Sequence, residues 1–252
     1  MRSEQIAVSP CSNPAMELDE VLGAYSSLGY ENFEVFIGWA HSAFDYHGDP
    51  EFYLERGRRF GVNFTSMHLP EVRSSQLEES LEEALMAARF ADAIGAEVVL
   101  YKASDRPTYI QAAGPFLAAV QDLGVTPVIQ NHFGTPLTTL DDVRTVYEAI
   151  DDARLSTLLE VGHFHSAGVG WHEAAEYLGG SIALVHVKDQ VGKESVAFGE
   201  GEIDLPGLFQ YMDEHDYAGR YVVEMEVEDS ENTLQYLGEA REYVLEFCED
   251  SQ

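Results

Sequence analysis

Eight short apolar runs alternate along the chain with stretches in which apolar residues recur every three or four positions. Short apolar runs are typical of buried strands, and the spacing of three or four is typical of amphipathic helices. The runs predict strands over 6–9, 33–37, 62–68, 97–101, 125–130, 155–160, 182–187 and 220–225. The stretches between and after them predict helices over 17–28, 50–60, 77–95, 108–123, 139–150, 171–178, 205–215 and 231–247.

Strict alternation of strand and helix calls for a parallel sheet. Eight strand–helix units suit a closed (β/α)8 TIM barrel, an α/β fold of about 250 residues. We therefore predict a single TIM-barrel domain over residues 1–252. A doubly wound open sheet is the alternative, but the turn after the first run, SPCSNPAM, has no glycine and hence no dinucleotide-binding fingerprint.

Polar residues stand at or near the ends of the last four predicted strands, namely Gln130, Glu160, His186 and Glu224. The carboxyl ends of barrel strands meet at one rim, where barrel enzymes carry their active sites. One imidazole nitrogen and several carboxylate oxygens at one point predict a divalent metal site. The alternative is that the glutamates cap helices or form ion pairs and that the histidine is a hydrogen-bonded buried residue.

Further side chains near the same rim indicate a hydroxylated substrate. The hydrogen-bond donors among them are His68, Lys102, Asn131, His132 and Lys188. Trp39, after the second strand, could cover the apolar face of a sugar ring or belong to the core or a subunit contact. Asp189 is expected to orient Lys188 or a ligand histidine.

The charge balance narrows the range of partners. Asp and Glu number 45 against 14 Lys and Arg, a formal net charge of −31. This excess disfavours nucleic acid and anionic membrane surfaces, which are bound mainly through Lys and Arg. A hydrophobic content of 45% argues against disorder. We predict a protein from a halophile, because concentrated salt screens crowded surface carboxylates.

The sequence carries no signal-peptide pattern and no apolar run of the roughly 20 residues that cross a bilayer. Its two cysteines, Cys11 and Cys248, are far apart and form neither a CxxC motif nor a disulfide framework. We therefore expect a cytoplasmic protein with no membrane partner.

Six short motifs resemble those of the xylose-isomerase-like barrel superfamily, which includes sugar isomerases and epimerases, inosose dehydratases and AP-endonuclease-like proteins. The motifs are MHLP at 67–70, QNH at 130–132, EVGH at 160–163, HVKD at 186–189, FGEGEID at 198–204 and VVEME at 222–226. The resemblance spans essentially the whole chain and implies a sugar or polyol substrate and a homo-oligomer.

The resemblance also implies a divalent metal, with Mn²⁺ the leading expectation and Mg²⁺, Co²⁺ or Zn²⁺ as alternatives. Its ligands would be Gln130, Glu160, His186 and Glu224, where the family pattern has Glu, Asp, His and Glu. Gln130 departs from the pattern because an amide cannot accept a proton and brings no charge to the metal.

The activity implied is a metal-dependent isomerisation or epimerisation by proton transfer next to a carbonyl. Glu224 is then a general base. His163, His132 or Glu160 could replace the missing acceptor at Gln130, or the reaction could need only one base. The alternatives are a dehydratase acting on a keto-sugar or keto-inositol and a sugar-binding relative that has lost catalysis.

Overall fold

The structure, a computed structural model, describes residues 1–249. Eight parallel strands close into a barrel in chain order, and the first strand pairs with both the second and the last. The strands are β1 (Ile6–Val8), β2 (Asn32–Val35), β3 (Asn63–His68), β4 (Val98–Leu100), β5 (Thr126–Gln130), β6 (Ser156–Glu160), β7 (Ile182–Val187) and β10 (Arg220–Val223). A hairpin of β8 (Asp189–Val191) and β9 (Glu194–Val196) follows β7. The predicted (β/α)8 barrel is confirmed.

Helices follow the barrel strands and cover their outer faces. They are α1 (Leu18–Ser27), α2 (Pro50–Phe60), α3 (Leu77–Ile94), α4 (Arg106–Val120), α5 (Leu140–Ile150), α6 (Val161–Ser166), α7 (Trp171–Leu178), α8 (Leu205–Glu214) and α9 (Thr233–Leu245). Short 3-10 helices lie at Ser3–Gln5, Pro10–Ser12, Ser74–Gln76 and Gly179–Ser181. Within residues 1–249, none of the helices has both the length and the apolar character to cross a membrane.

Specific local contacts define where these helices begin. Asp49 accepts a hydrogen bond from the Glu51 N–H ahead of α2, which begins at Pro50. Thr139 forms a capping box with Asp142 at the start of α5. Such contacts satisfy N–H groups that have no partner inside a helix.

The barrel interior is apolar below the rim. A small cluster of buried side chains fills it: Ala7, Leu100, Val128, Leu158, Leu184 and Val222. Strands β2 and β3 place the polar residues Glu34 and Ser66 opposite each other instead. Thr65 is an extra residue in β3 at this point, since Phe33 pairs with Phe64 while Glu34 pairs with Ser66. The extra residue is a bulge, a feature that re-aims side chains at barrel rims.

Two elements were not predicted. Helix α6 follows Glu160 without a loop, and its six residues are too few for a helical repeat to show in the sequence. The β8–β9 hairpin occupies part of what was expected to be the loop after the seventh barrel strand. Both elements stand at the carboxyl ends of strands, where the candidate site lies.

Candidate metal centre and active site

His186 lies near the end of β7 with no exposed surface, and three carboxylates surround its ring. Its Nε2 atom is 2.9 Å from Glu34 Oε2. Its Nδ1 atom is 3.3 Å from Glu160 Oε2 and 3.2 Å from Glu224 Oε1. Two of the predicted site acids, Glu160 and Glu224, thus lie beside His186, together with a third acid, Glu34.

In Glu160 and Glu224, one carboxylate oxygen makes a contact elsewhere and the other faces His186. Glu160 Oε1 accepts the N–H groups of Gly162 and His163 and so caps α6. Glu224 Oε2 lies 2.8 Å from the Lys188 ammonium. The cap and the ion pair considered as alternatives to a metal site both occur, and each leaves the other oxygen facing His186 Nδ1.

The atoms that face one another fit a metal ion. Glu160 Oε2 and His186 Nδ1 are buried, and neither meets hydrogen-bond geometry with any residue of the described chain. Buried polar atoms without partners are uncommon and call for an explanation. Ligands about 2.0–2.2 Å from a tetrahedral ion stand a little over 3 Å apart, close to the 3.3 Å and 3.2 Å that separate His186 Nδ1 from Glu160 Oε2 and Glu224 Oε1. Ligand atoms of Glu34, His186 and Glu224 all lie within 4.8 Å of one another. The donor set of one imidazole and carboxylates suits Zn²⁺, Mn²⁺ or Co²⁺.

Glu34 is the site residue that sequence reasoning missed. It is fully buried, and its Oε2 atom accepts the Ser66 hydroxyl at 3.1 Å as well as His186. Its Oε1 atom is 3.0 Å from His68 Nε2. The signal was a charged residue inside the apolar run FEVFI, because a strand covered on both faces can hold a carboxylate only where partners meet it.

The hydrogen-bond partners assign the tautomers of both histidines. The Lys102 ammonium, which can only donate, lies 2.6 Å from His68 Nδ1, so His68 carries its proton on Nε2 and donates to Glu34. Glu34 likewise accepts from Nε2 of His186. Nδ1 of His186 faces Glu160 and Glu224; it holds the second proton of the ring in the metal-free protein and would become a metal ligand once that proton leaves.

The electrostatics of the Glu34 side follow from these contacts. Burial opposes ionisation of Glu34, but His186 and His68 outweigh it and lower the pKa of Glu34 to about 2. Burial and the Lys102 charge lower the pKa of His68 to about 4. Burial also lowers the pKa of Lys102 to about 8, so its ammonium can lose a proton close to neutral pH.

The other side of His186 balances positive and negative charge. Burial opposes the charge of His186, yet Glu34 and Glu224 raise its pKa well above the usual value. Burial opposes the charge of Lys188 too, but Glu160 and Glu224 raise its pKa. Burial raises the pKa of Glu160 to about 7. Without a metal, protons therefore occupy part of the place that a divalent cation would take.

A cleft of about 730 Å³ opens above this centre. It is lined by eight of the predicted site residues: Trp39, His68, Lys102, Gln130, His132, His163, Lys188 and Glu224. Glu160 and His186 are buried and do not form its wall. Gln130 ends β5 and is 8% exposed, so its amide opens on the cleft.

Two residues make contacts different from those expected. Asn131 was expected to meet substrate, but its amide donates to the Glu160 carbonyl and accepts from the Glu160 N–H, and it does not line the cleft. Asp189 was expected to orient Lys188 or a histidine. Its carboxylate instead accepts four backbone N–H groups, those of Gln190, Gly199, Gly201 and Ile203.

Two glycines make room for this arrangement. A Cβ atom at Gly162 would lie 2.3 Å from Lys188 Cγ, so only glycine lets the lysine stem pass behind α6. A Cβ atom at Gly201 would lie 2.0 Å from Asp189 Oδ1. The glycine of the EVGH motif and the second glycine of the FGEGEID motif are therefore required by the close approach of Lys188 and Asp189 in the HVKD motif.

His132 and His163 form a pair on the cleft wall, with ring centroids 3.8 Å apart. Burial and the nearby Lys188 lower the pKa of His163 to about 2. Burial also lowers the pKa of His132. Both rings are therefore unprotonated at pH 7 and can accept a hydrogen bond there, but their lowered pKa values make them weak bases.

Replacing Glu34 with Gln is expected to lower the affinity for Mn²⁺ or Zn²⁺ by about 10- to 100-fold, because the residue that orients a ligand histidine contributes this much. Isothermal titration calorimetry measures the effect. Glu71→Gln is the matched control, since Glu71 lines the same cleft and is exposed. Equal affinities in the Glu34→Gln variant and the unmodified protein would contradict the assigned role.

The family model for the xylose isomerase-like TIM barrel matches residues 22–246. An inosose dehydratase of Clostridium beijerinckii is 27% identical over 146 residues, 50% of this chain and 49% of that protein. The chain thus matches about half the length of this relative. An inosose dehydratase of Mesomycoplasma hyopneumoniae is 20% identical over 271 residues, 91% of this chain and 88% of that protein.

Solved structures share the fold at low identity. A zinc-bound IolI protein superposes with a TM-score of 0.79 at 12% identity, covering 98% of this chain and 99% of that one. A D-tagatose 3-epimerase-like protein gives 0.75 at 18% identity, covering 95% and 99%. Because the family model covers most of the chain and the closed barrel agrees with it, this protein belongs to the xylose isomerase-like TIM barrel family.

Proposed function

We propose that this protein is a divalent-metal-dependent lyase that removes water from a polyhydroxylated cyclic ketone. The observation that carries the proposal is the buried convergence of Glu160, His186 and Glu224 beneath one cleft, with an unpartnered oxygen and nitrogen facing each other. A divalent cation held by these residues would polarise a substrate carbonyl and acidify the neighbouring C–H bond. The relatives named inosose dehydratase support the choice of substrate class.

Gln130 favours elimination over epimerisation. An epimerase that works by proton exchange needs one proton acceptor on each face of the reacting carbon, and an amide cannot be one of them. Elimination of water needs one acceptor and one donor. The cleft offers both without a carboxylate at position 130.

His163 is the proposed acceptor and Lys102 the proposed donor. His163 opens on the cleft and, among the described residues, is held in no ion pair, whereas Glu224 is bound to Lys188. With its pKa lowered to about 2 the ring is a weak base, so the transfer depends on the acidity that a polarised carbonyl would give the C–H bond. His163 takes the proton from the carbon next to the carbonyl, and the electron pair forms an enolate. The C–O bond at the following carbon then breaks, and the hydroxyl leaves as water with a proton from Lys102. Solvent returns the proton of His163 to Lys102.

Isomerisation or epimerisation is the second candidate function. The observation that favours it is that Glu224 also lines the cleft, so that a carboxylate and the His163 imidazole are both available to one substrate. A sugar-binding protein without catalysis is a third outcome, and it would follow if the loss of a carboxylate at Gln130 has ended turnover.

A Gln130→Glu variant is expected to bind Mn²⁺ about tenfold tighter, equal to about 1.4 kcal/mol, because it adds a charged ligand. Incubation of both proteins with 2-keto-myo-inositol in D₂O, followed by mass spectrometry, tests the function. We expect the unmodified protein to release water from the substrate. Gln130→Asn is the matched control, since it keeps an uncharged amide.

Each outcome of this assay points to one function. Deuterium exchange without loss of water would move the assignment to an isomerase or epimerase. Turnover by Gln130→Glu alone would identify the protein as a binding relative. Absence of metal binding in the unmodified protein would overturn the proposal as a whole.

A further inference from the structure

Trp39 combines two unfavourable features at the edge of the cleft. Its φ angle is +71°, in the left-handed region that bulky residues other than glycine rarely adopt. Its side chain is 68% exposed, the most exposed large hydrophobic residue of the described chain. Strained backbone of this kind clusters at ligand sites.

Trp39 is the outer end of a row of rings that begins at the metal centre. The ring centroids of His186 and His68 are 6.3 Å apart, and those of His68 and Phe36 are 4.4 Å apart. The next step, from Phe36 to Trp39, is 5.8 Å. Phe36 and Trp39 line the same cleft as Glu224 and His163, so a molecule that reaches the metal centre can extend onto them.

The lining of the cleft also contains the apolar residues Ile37, Leu69, Tyr109 and Pro136 and two further acids, Glu71 and Glu226. It contains no arginine, so the part of the cleft around Trp39 suits an uncharged group. A second anionic group on the ligand would meet the Glu71 carboxylate and the excess negative charge of the protein.

The cleft is also larger than the proposed ring substrate. A six-membered keto-polyol has twelve non-hydrogen atoms, and counting each as a whole liquid water of about 30 Å³ sets an upper limit of roughly 360 Å³ on its volume. The cleft measures about 730 Å³. Cavities of this size enclose larger ligands in other proteins. About half of the cleft is left for another part of the molecule.

We propose that the substrate carries a second, uncharged ring, and that Trp39 and Phe36 bind its face while the hydroxylated ketone ring meets the metal centre. This inference rests on the proposed function for the position of the first ring. Trp39 thereby determines specificity for a ring-substituted keto-polyol over an unsubstituted one.

Fluorescence of a single tryptophan tests the proposal. The chain has two tryptophans, and Trp171 lies on α7 against Tyr211, outside the cleft lining. A Trp171→Phe variant therefore reports on Trp39 alone. The probes are phenyl β-D-glucopyranoside and methyl β-D-glucopyranoside, which differ only in the second ring, added to Mn²⁺-loaded protein.

We expect the phenyl glucoside to bind at least tenfold tighter and to shift Trp39 emission to shorter wavelength. In Trp39→Ala, where isothermal titration calorimetry replaces the lost fluorescence signal, the affinity for the phenyl glucoside should fall to that for the methyl glucoside. Equal affinity for both probes, or no binding of the phenyl glucoside, would overturn the second-ring site. A blue-shifted emission without ligand that is lost on dilution would also overturn it, by showing that a second copy of the chain covers Trp39.

The test separates the two proposals. Metal binding and release of water from 2-keto-myo-inositol do not require a second ring. If they occur while the phenyl preference is absent, only the second-ring site fails. If they do not occur but the phenyl preference is present, the proposed reaction fails and the binding site stands.

Discussion

Replacing His186 and Glu224 with Ala together is expected to abolish stoichiometric metal binding. The two residues supply the imidazole Nδ1 atom and one carboxylate oxygen, which lie 3.2 Å apart. Of the three residues Glu160, His186 and Glu224, the double variant keeps only Glu160. Loss of a single supporting residue already costs about 10- to 100-fold in affinity, and loss of two ligands should exceed this range.

Metal content after purification without chelator, followed by Mn²⁺ titration, measures the effect. A His172→Ala, Glu173→Ala double variant is the matched control, because it removes the same two residue types from exposed positions on α7. His186→Gln keeps a polar side chain of similar size and guards against a folding defect. Full metal content in the His186, Glu224 variant would remove the basis of the proposed function.

The same titration should depend on pH in a stated direction. His186 is protonated at pH 7 in the metal-free protein, and the pKa of Glu160 is raised to about 7. A metal must displace these protons, so apparent affinity rises with pH between 5 and 7, by about tenfold per unit for each proton released. Affinity that is flat over this range would contradict the proton competition.

Replacing Lys188 with Met is expected to lower the free energy of unfolding of the metal-free protein by about 3–5 kcal/mol. Lys188 is 1% exposed, and its ammonium lies 2.8 Å from both Glu224 and Glu226. The variant removes the ammonium beside Glu224 Oε2 and leaves His186 as the cationic neighbour of this buried carboxylate. Because the folded-state pKa of Lys188 is raised, its contribution is fully present at neutral pH and is lost only at strongly alkaline pH.

Saturating Mn²⁺ should restore part of this stability, since a metal that binds only the folded state supplies the missing positive charge. Urea unfolding with and without Mn²⁺ measures both quantities. Lys193→Met is the matched control, because Lys193 lies at the tip of the β8–β9 hairpin and is exposed. A Lys188→Met protein as stable as the Lys193→Met protein would show that the buried charges are balanced in another way.

The strand ends could be predicted because barrel strands bury both faces, and each apolar run therefore stops where the strand stops. All eight barrel strands begin and end within two residues of the predicted limits. Since the rim residues come directly after these runs, most of the cleft lining followed from the same pattern. Cytoplasmic location, a homo-oligomer, the absence of nucleic acid and growth in concentrated salt stay predictions.

Glu34 and Asn131 could not be placed in the same way. Alternation in a sequence separates the two faces of a strand but does not say which face points into the barrel. The position of Glu34 at the site therefore could not be predicted from the apolar run that contains it. Asn131 is adjacent to Gln130 in sequence, yet its side chain turns to the backbone of β6. Contacts between neighbouring strands decide both cases, and they exist only in the closed barrel.

The carboxylate of Asp189 holds both ends of the segment from Gln190 to Ile203, since it binds backbone N–H groups from each. A surface segment whose two ends are held in this way can change in length and sequence during evolution while its base stays in place. Residues inserted at Gly192–Lys193 would lengthen the hairpin and extend its cover beyond Phe133, which Lys193 now contacts, while the base stays in place. Asp189 itself has no such freedom, because its loss would release four backbone groups together.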